Sequence, residues 1–186
     1  MILIICTNIL SLFICWQDNV KLKWNDFQGE PNSKFKTTLN TDAGAVTAIR
    51  TVRTPISDEK GFLKYDIAVC FMKDLSFTTD TTSSELLQHE QLHFDIAELY
   101  ARKIRERISF LVAKKVRDQR EFDKVFDLIL LEKDELSKQY DIRTGNGGVD
   151  FVQQEWNIKI QKELNEMKAF ATYTSQCSCE TMNKNN

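Results

Sequence analysis

The chain has two histidines, His89 and His93, four residues apart with Glu90 directly after the first. On an α-helix, residues i and i+4 lie about 40° apart around the axis, so the two imidazoles face the same way. Two rings so placed can hold one zinc ion, and a carboxylate beside them can take a proton from a water. This is the H-E-x-x-H arrangement of zinc peptidases. It predicts His89 and His93 as metal ligands, Glu90 as catalytic base and zinc as cofactor. The flanking Leu86, Leu87, Gln88, Gln91, Leu92 and Phe94 are uncharged, as expected of a helix buried beside a cleft. Asp95 departs from that pattern, because the position tends to be apolar. The competing reading is a solvent-facing histidine pair on an amphipathic helix.

A catalytic zinc site takes three protein ligands and leaves a position for water. With no further histidine, the third ligand must come from another residue type. At 100° per residue, Ile96, Ala97 and Tyr100 share the histidine face, while Asp95 and Glu98 point away. A third histidine six residues after His93 is absent, since Leu99 stands there. The ligand must therefore arrive from a later helix or loop, with Asp141, Asp150, Glu132 and Glu135 as candidates. Asp95 and Glu98 are candidates for hydrogen bonds to the ligands, with solvation the expected role of Glu98.

These residues need a scaffold. A length of 186 residues allows one domain with a core of its own. Apolar content of 42% and charged content of 28% fit a soluble globular protein. A net charge of −2 gives no electrostatic reason to expect nucleic acid. The basic run Arg102, Lys103, Arg105, Arg107, Lys114, Lys115, Arg117 and Arg120 is followed by acids from Glu121 to Glu135, which reads as a solvated, compensated helix face.

The clearest strand spans 62–72. Leu63, Tyr65, Ile67, Val69 and Phe71 alternate there with Lys64, Asp66, Ala68, Cys70 and Met72, and Asp58 to Gly61 supplies the turn before it. Ala45 to Val52 also has strand composition, ending at Pro55. From Thr81 the period changes. Thr81, Thr82, Ser83 and Ser84 offer N-caps, with Glu85 in reach of a capping box from Thr82, and a helix follows from about Ser84 to about Lys114. A second helical period runs from Phe122 to Tyr140. Gly145 to Gly148 break the chain, and Val149 to Met167 give a third helix. Strands first and helices after predict an α+β fold: an N-terminal antiparallel sheet followed by about three helices, with H-E-x-x-H on the first long one.

Residues 1–16 are apolar and uncharged, too few for a comfortable membrane span of about 20 residues, and suit the apolar core of an export signal. That predicts a signal-like segment at 1–16, a domain at 17–172 and a polar, disordered tail at 173–186. It also predicts a periplasmic, envelope-associated or secreted protein. A lipid or membrane anchor is a minor option, because Leu12-Phe13-Ile14-Cys15 faintly resembles a lipoprotein cleavage box. A buried first strand or helix is the other reading of this stretch. The five cysteines are odd in number and irregular in spacing, so no disulfide framework is legible.

Three segments carry a resemblance. They are Trp24-Asn25-Asp26-Phe27-Gln28-Gly29-Glu30-Pro31, Leu87 to Ile96, and Tyr140-Asp141-Ile142-Arg143-Thr144 with Gln153-Gln154-Glu155-Trp156. They are similar to the W-x-D-F-x-G, H-E-Q-x-H-F-D and Y-D-x-x-T…Q-x-x-W motifs of a bacterial family regarded as secreted zinc-dependent proteases and catalogued as a domain of unknown function. The resemblance spans residues 22 to about 167. It implies a zincin-like fold, zinc, and a peptide or protein substrate. The family's T-x-H-G would place a candidate third ligand where this chain has Asn146. An amide oxygen is a poor zinc ligand beside imidazole. The resemblance therefore leaves three readings open: a nearby carboxylate such as Asp141 or Asp150 substitutes, the site is weakened, or the protein is an inactive, peptidase-like binding protein.

Overall fold

The computed structural model describes residues 12–31, 44–57 and 63–171. Residues 1–11, the turn at 58–61 and the tail at 173–186, with Cys6, Cys177 and Cys179, lie outside the described residues.

The alternating segment forms strand β4, Leu63–Met72, as the centre of a three-stranded antiparallel sheet. Strand β1, Phe13–Cys15, lies on one edge and β3, Ile49–Ser57, on the other. The end of the apolar N-terminal stretch is thus part of the sheet. Short strands β2, Ala45–Val46, and β5, Phe77–Thr78, form a separate pair. Strand β3 continues past Pro55, which faces Tyr65. Proline lacks an N–H to donate, and an edge strand tolerates that loss.

Three helices follow: α1, Ser84–Ala113, α2, Gln119–Thr144, and α3, Asp150–Glu166. Sheet first and helices after make this an α+β arrangement. The cap of α1 is Ser83, whose side chain accepts from Leu86 N at 3.0 Å, and not Thr82. Thr82 is engaged by Asp80, which accepts from its backbone and its hydroxyl.

The period-2 pattern of β4 sorts its side chains between two faces. Ile67, Val69 and Phe71 meet Phe94, Leu99 and Ile104 of α1 in the main core. Cys70 and Met72 join Phe13 in a smaller cluster on the reverse face. The Trp24–Gly29 segment folds onto the end of β4. Phe27 packs edge-on against Phe71 at 5.1 Å, and Gly29 donates to Ser76 O at 2.7 Å. A Cβ on Gly29 would come within 2.8 Å of Asp74 O, so only glycine fits this approach.

Helix α1 is covered along its middle by the sheet, α2 and α3. Glu98 is consequently only 2% exposed, and the solvated role expected for it is incorrect. It accepts from Arg102 Nε at 3.0 Å and Arg105 Nη1 at 2.9 Å. Arg102 also donates to Leu164 O and Arg105 to Ile67 O, which ties α3 and β4 to α1. The start of the basic run is therefore an internal brace and not a solvated face. Trp16 Nε1 donates to Asp95 Oδ1 at 2.8 Å, which accounts for a carboxylate at a position that tends to be apolar.

Candidate metal centre

His89, Glu90 and His93 lie in the second and third turns of α1. His89 is 2% and Glu90 4% exposed, while the His93 side chain is 17% exposed. Helix α2 returns antiparallel to α1 and brings Tyr140, Asp141 and Thr144 opposite them. Asp141 Oδ1 is 2.8 Å from His93 Nε2 and 3.2 Å from His89 Nε2, and the two Nε2 atoms are 3.2 Å apart. In a tetrahedral zinc site with bonds of about 2.0–2.1 Å, neighbouring ligand atoms stand roughly 3.3–3.4 Å apart. The three atoms observed are slightly closer than that, and two imidazoles with one carboxylate are a donor set zinc accepts. Among the described residues, His89, His93 and Asp141 are the group able to hold a metal ion.

The surroundings fix both rings. Tyr140 stacks on His89, with centroids 4.4 Å apart and planes 18° apart, and meets His93 edge-on at 5.0 Å. Gln153, on the first turns of α3, turns its Oε1 to His89 Nδ1 at 3.2 Å and accepts from the Tyr140 hydroxyl at 2.8 Å. An acceptor at Nδ1 holds the proton there and leaves the Nε2 lone pair facing Asp141 and His93. Thr144 Oγ1 lies 3.5 Å from the same Nδ1. Gly145 ends α2 in the left-handed conformation, and the loop after it turns back onto the site. Gly147 has φ +87°, and a Cβ there would stand 2.9 Å from His89 Cβ. This glycine lets the loop close behind the ligand.

Burial pulls the His93 imidazole down, but its bond to Asp141 and the charges of Glu90 and Asp141 outweigh that, and the net shift is upward. Burial likewise pushes the Asp141 carboxyl up, but the two imidazoles prevail and hold it well below the usual carboxylate range. Burial raises the Tyr140 hydroxyl above its ordinary value, against the opposing bond to Gln153, so it stays a neutral donor.

Of the candidate third ligands, Asp141 is the one brought to the histidines. Asp150 is exposed at the start of α3, and Glu132 and Glu135 are exposed on α2. Asn146 is exposed in the loop with φ 54°. Asp95 lies across α1, bonded to Trp16, Gln91 and Gln161, away from the ligand cluster. Residue types alone do not reveal the supporting roles of Tyr140, Thr144, Gln153 and Gly147. Their one sequence signal is that they share the same short motifs as Asp141.

Residues 72–148 match the sequence model of a family described as a bacterial protein of unknown function (DUF922). The matched span takes in α1, α2 and the glycine loop, hence all three converging ligands and Glu90. No curated protein and no solved structure matches the chain.

Proposed function

We propose that this chain is a zinc-dependent metallopeptidase acting outside the cytoplasm on a peptide or protein substrate. The observation that carries the reading is the convergence of His89 Nε2, His93 Nε2 and Asp141 Oδ1, with Glu90 in the adjacent sequence position. These three would hold zinc. When bound, zinc supplies Lewis acidity to a water and to the scissile carbonyl. Glu90 takes the proton from the attacking water and returns it to the leaving amine. Tyr140 and Gln153 keep His89 in the tautomer that offers Nε2. Export is supported by the disulfide-bonded Cys15 and Cys70, since such bonds persist in oxidising compartments. A net charge of −2 gives nucleic acid no general attraction.

The test is elemental analysis of purified protein together with cleavage of a peptide library. Wild type is expected to hold one zinc and cleave; Glu90→Gln should hold zinc and not cleave. Equal cleavage by both would overturn the mechanism. A second reading, a peptidase-like binding protein, draws on Asn146 in place of the histidine the resemblance implies. It predicts stoichiometric zinc with no turnover on any peptide.

A further inference from the structure

The end of the apolar stretch makes commitments that a discarded leader would not. Lys73 N donates to Leu12 O at 2.8 Å and Trp16 N to Val69 O at 3.0 Å, and these bonds bracket β1 on β4. They leave Cys15 facing Cys70 at a non-hydrogen-bonded position. Facing residues at such positions have Cα atoms about 4.5 Å apart, inside the roughly 4.4–6.8 Å a disulfide spans. Both cysteines are disulfide-bonded, and Cys70 is fully buried. Beyond the strand, Trp16 donates to buried Asp95, Arg102 lies over the Trp16 ring at 5.1 Å, and Leu22 N donates to Gln91 Oε1 at 2.8 Å. Residues 12–22 thus form a strap anchored at one end by a covalent bridge and along its length by α1.

We propose that Cys15 is a structural half-cystine joined to Cys70, and that the mature protein keeps the chain from Leu12 onward. A lipid is carried on a cysteine sulfur as a thioether, and a sulfur committed to an S–S bond cannot carry it. The two thiols form one S–S bond and release two protons and two electrons. The electrons pass to the disulfide of an oxidised thiol–disulfide exchange protein, whose S–S bond breaks and which leaves as a dithiol. The inference does not depend on the metal centre.

The experiment uses the full chain recovered from cells that export it. It is denatured and alkylated with and without reductant, then analysed by intact mass and peptide mapping. The expected result is a Cys15–Cys70 linked peptide, no alkylation of either residue before reduction, and a first residue at or before Leu12. A mature chain beginning after Leu12, a diacylglyceryl mass on Cys15, or either cysteine alkylated without reductant would overturn it. Cys15→Ser and Cys70→Ser should each lower Tm, and the double variant should fall no further than the worse single one. Additive losses would also count against the bridge. Should the variants not fold, mapping of the wild-type chain decides alone.

Discussion

Replacing Gln153 by leucine separates a residue that positions a ligand from one that merely fills space. Gln153 Oε1 faces two buried donors, His89 Nδ1 and the Tyr140 hydroxyl. Tyr140 keeps a second acceptor, His89 O at 3.2 Å, so its loss is partial, about 0.5–1 kcal/mol. Among the described residues His89 Nδ1 keeps only Thr144 Oγ1 at 3.5 Å, a marginal partner, and stranding this donor costs about 1–3 kcal/mol. The apo protein should therefore lose roughly 1.5–4 kcal/mol in urea unfolding with chelator present. Zinc should dissociate about 10–100-fold more readily, as for other groups that orient a ligand from behind. That is roughly 1.4–2.7 kcal/mol, measured by competition with a chromogenic chelator. Gln153→Glu keeps an acceptor at Nδ1 and should hold zinc within about threefold of wild type. If Gln153→Leu matched wild-type zinc affinity within that margin, or if the two variants lost affinity equally, Gln153 would not be setting the tautomer of His89.

Gly147→Ala combines a left-handed backbone, about 1–2 kcal/mol, with overpacking against His89, about 1–3 kcal/mol. Tm by calorimetry should drop roughly 5–15 °C, and zinc affinity should weaken with it. Asp141→Ala should abolish stoichiometric zinc by elemental analysis, whereas Asp150→Ala, an exposed change, should leave it intact. Burial raises the folded-state Asp95 carboxyl above its ordinary 3.8, against bonds from Trp16 and Gln91. A raised acid is fully accommodated at low pH and is penalised as it ionises. Its contribution to stability should therefore decline as pH rises past 3.8. Asp95→Asn should flatten that decline in urea titrations across pH, and an unchanged slope would contradict the reading.

The helices were legible because they are long and strongly periodic. The first, expected over about Ser84 to about Lys114, ends at Ala113, and the third agrees within a residue at each end, while the second, read from Phe122 to Tyr140, runs on to Gln119 and Thr144. Local competition selects Ser83 among the four possible caps and removes the capping box from Thr82, which is taken by Asp80 before it can serve α1. Non-local packing explains the rest. Glu98 and Arg102 are an ordinary i, i+4 pair on paper, and only the closure of α3 and β4 over that face buries them. Four acids were open as third ligand because the choice rests on the rotational phase of α2 against α1. That phase is set by core residues such as Tyr140 and Ile129, not by the acids themselves. The Cys15–Cys70 pairing needs the register between a three-residue strand and one far along the chain, which cysteine spacing does not encode.

The split of the donor atoms between two antiparallel helices has a mechanical side. A cation held by His89, His93 and Asp141 would act as a rivet near the open end of a hairpin whose other end is the tight turn after Ala113. Chelation should then loosen the last turns of α2 and the glycine loop first, while the Phe71–Phe94 contact between sheet and α1 keeps its amides protected. Hydrogen exchange along the chain would trace that fraying as a gradient running away from Asp141.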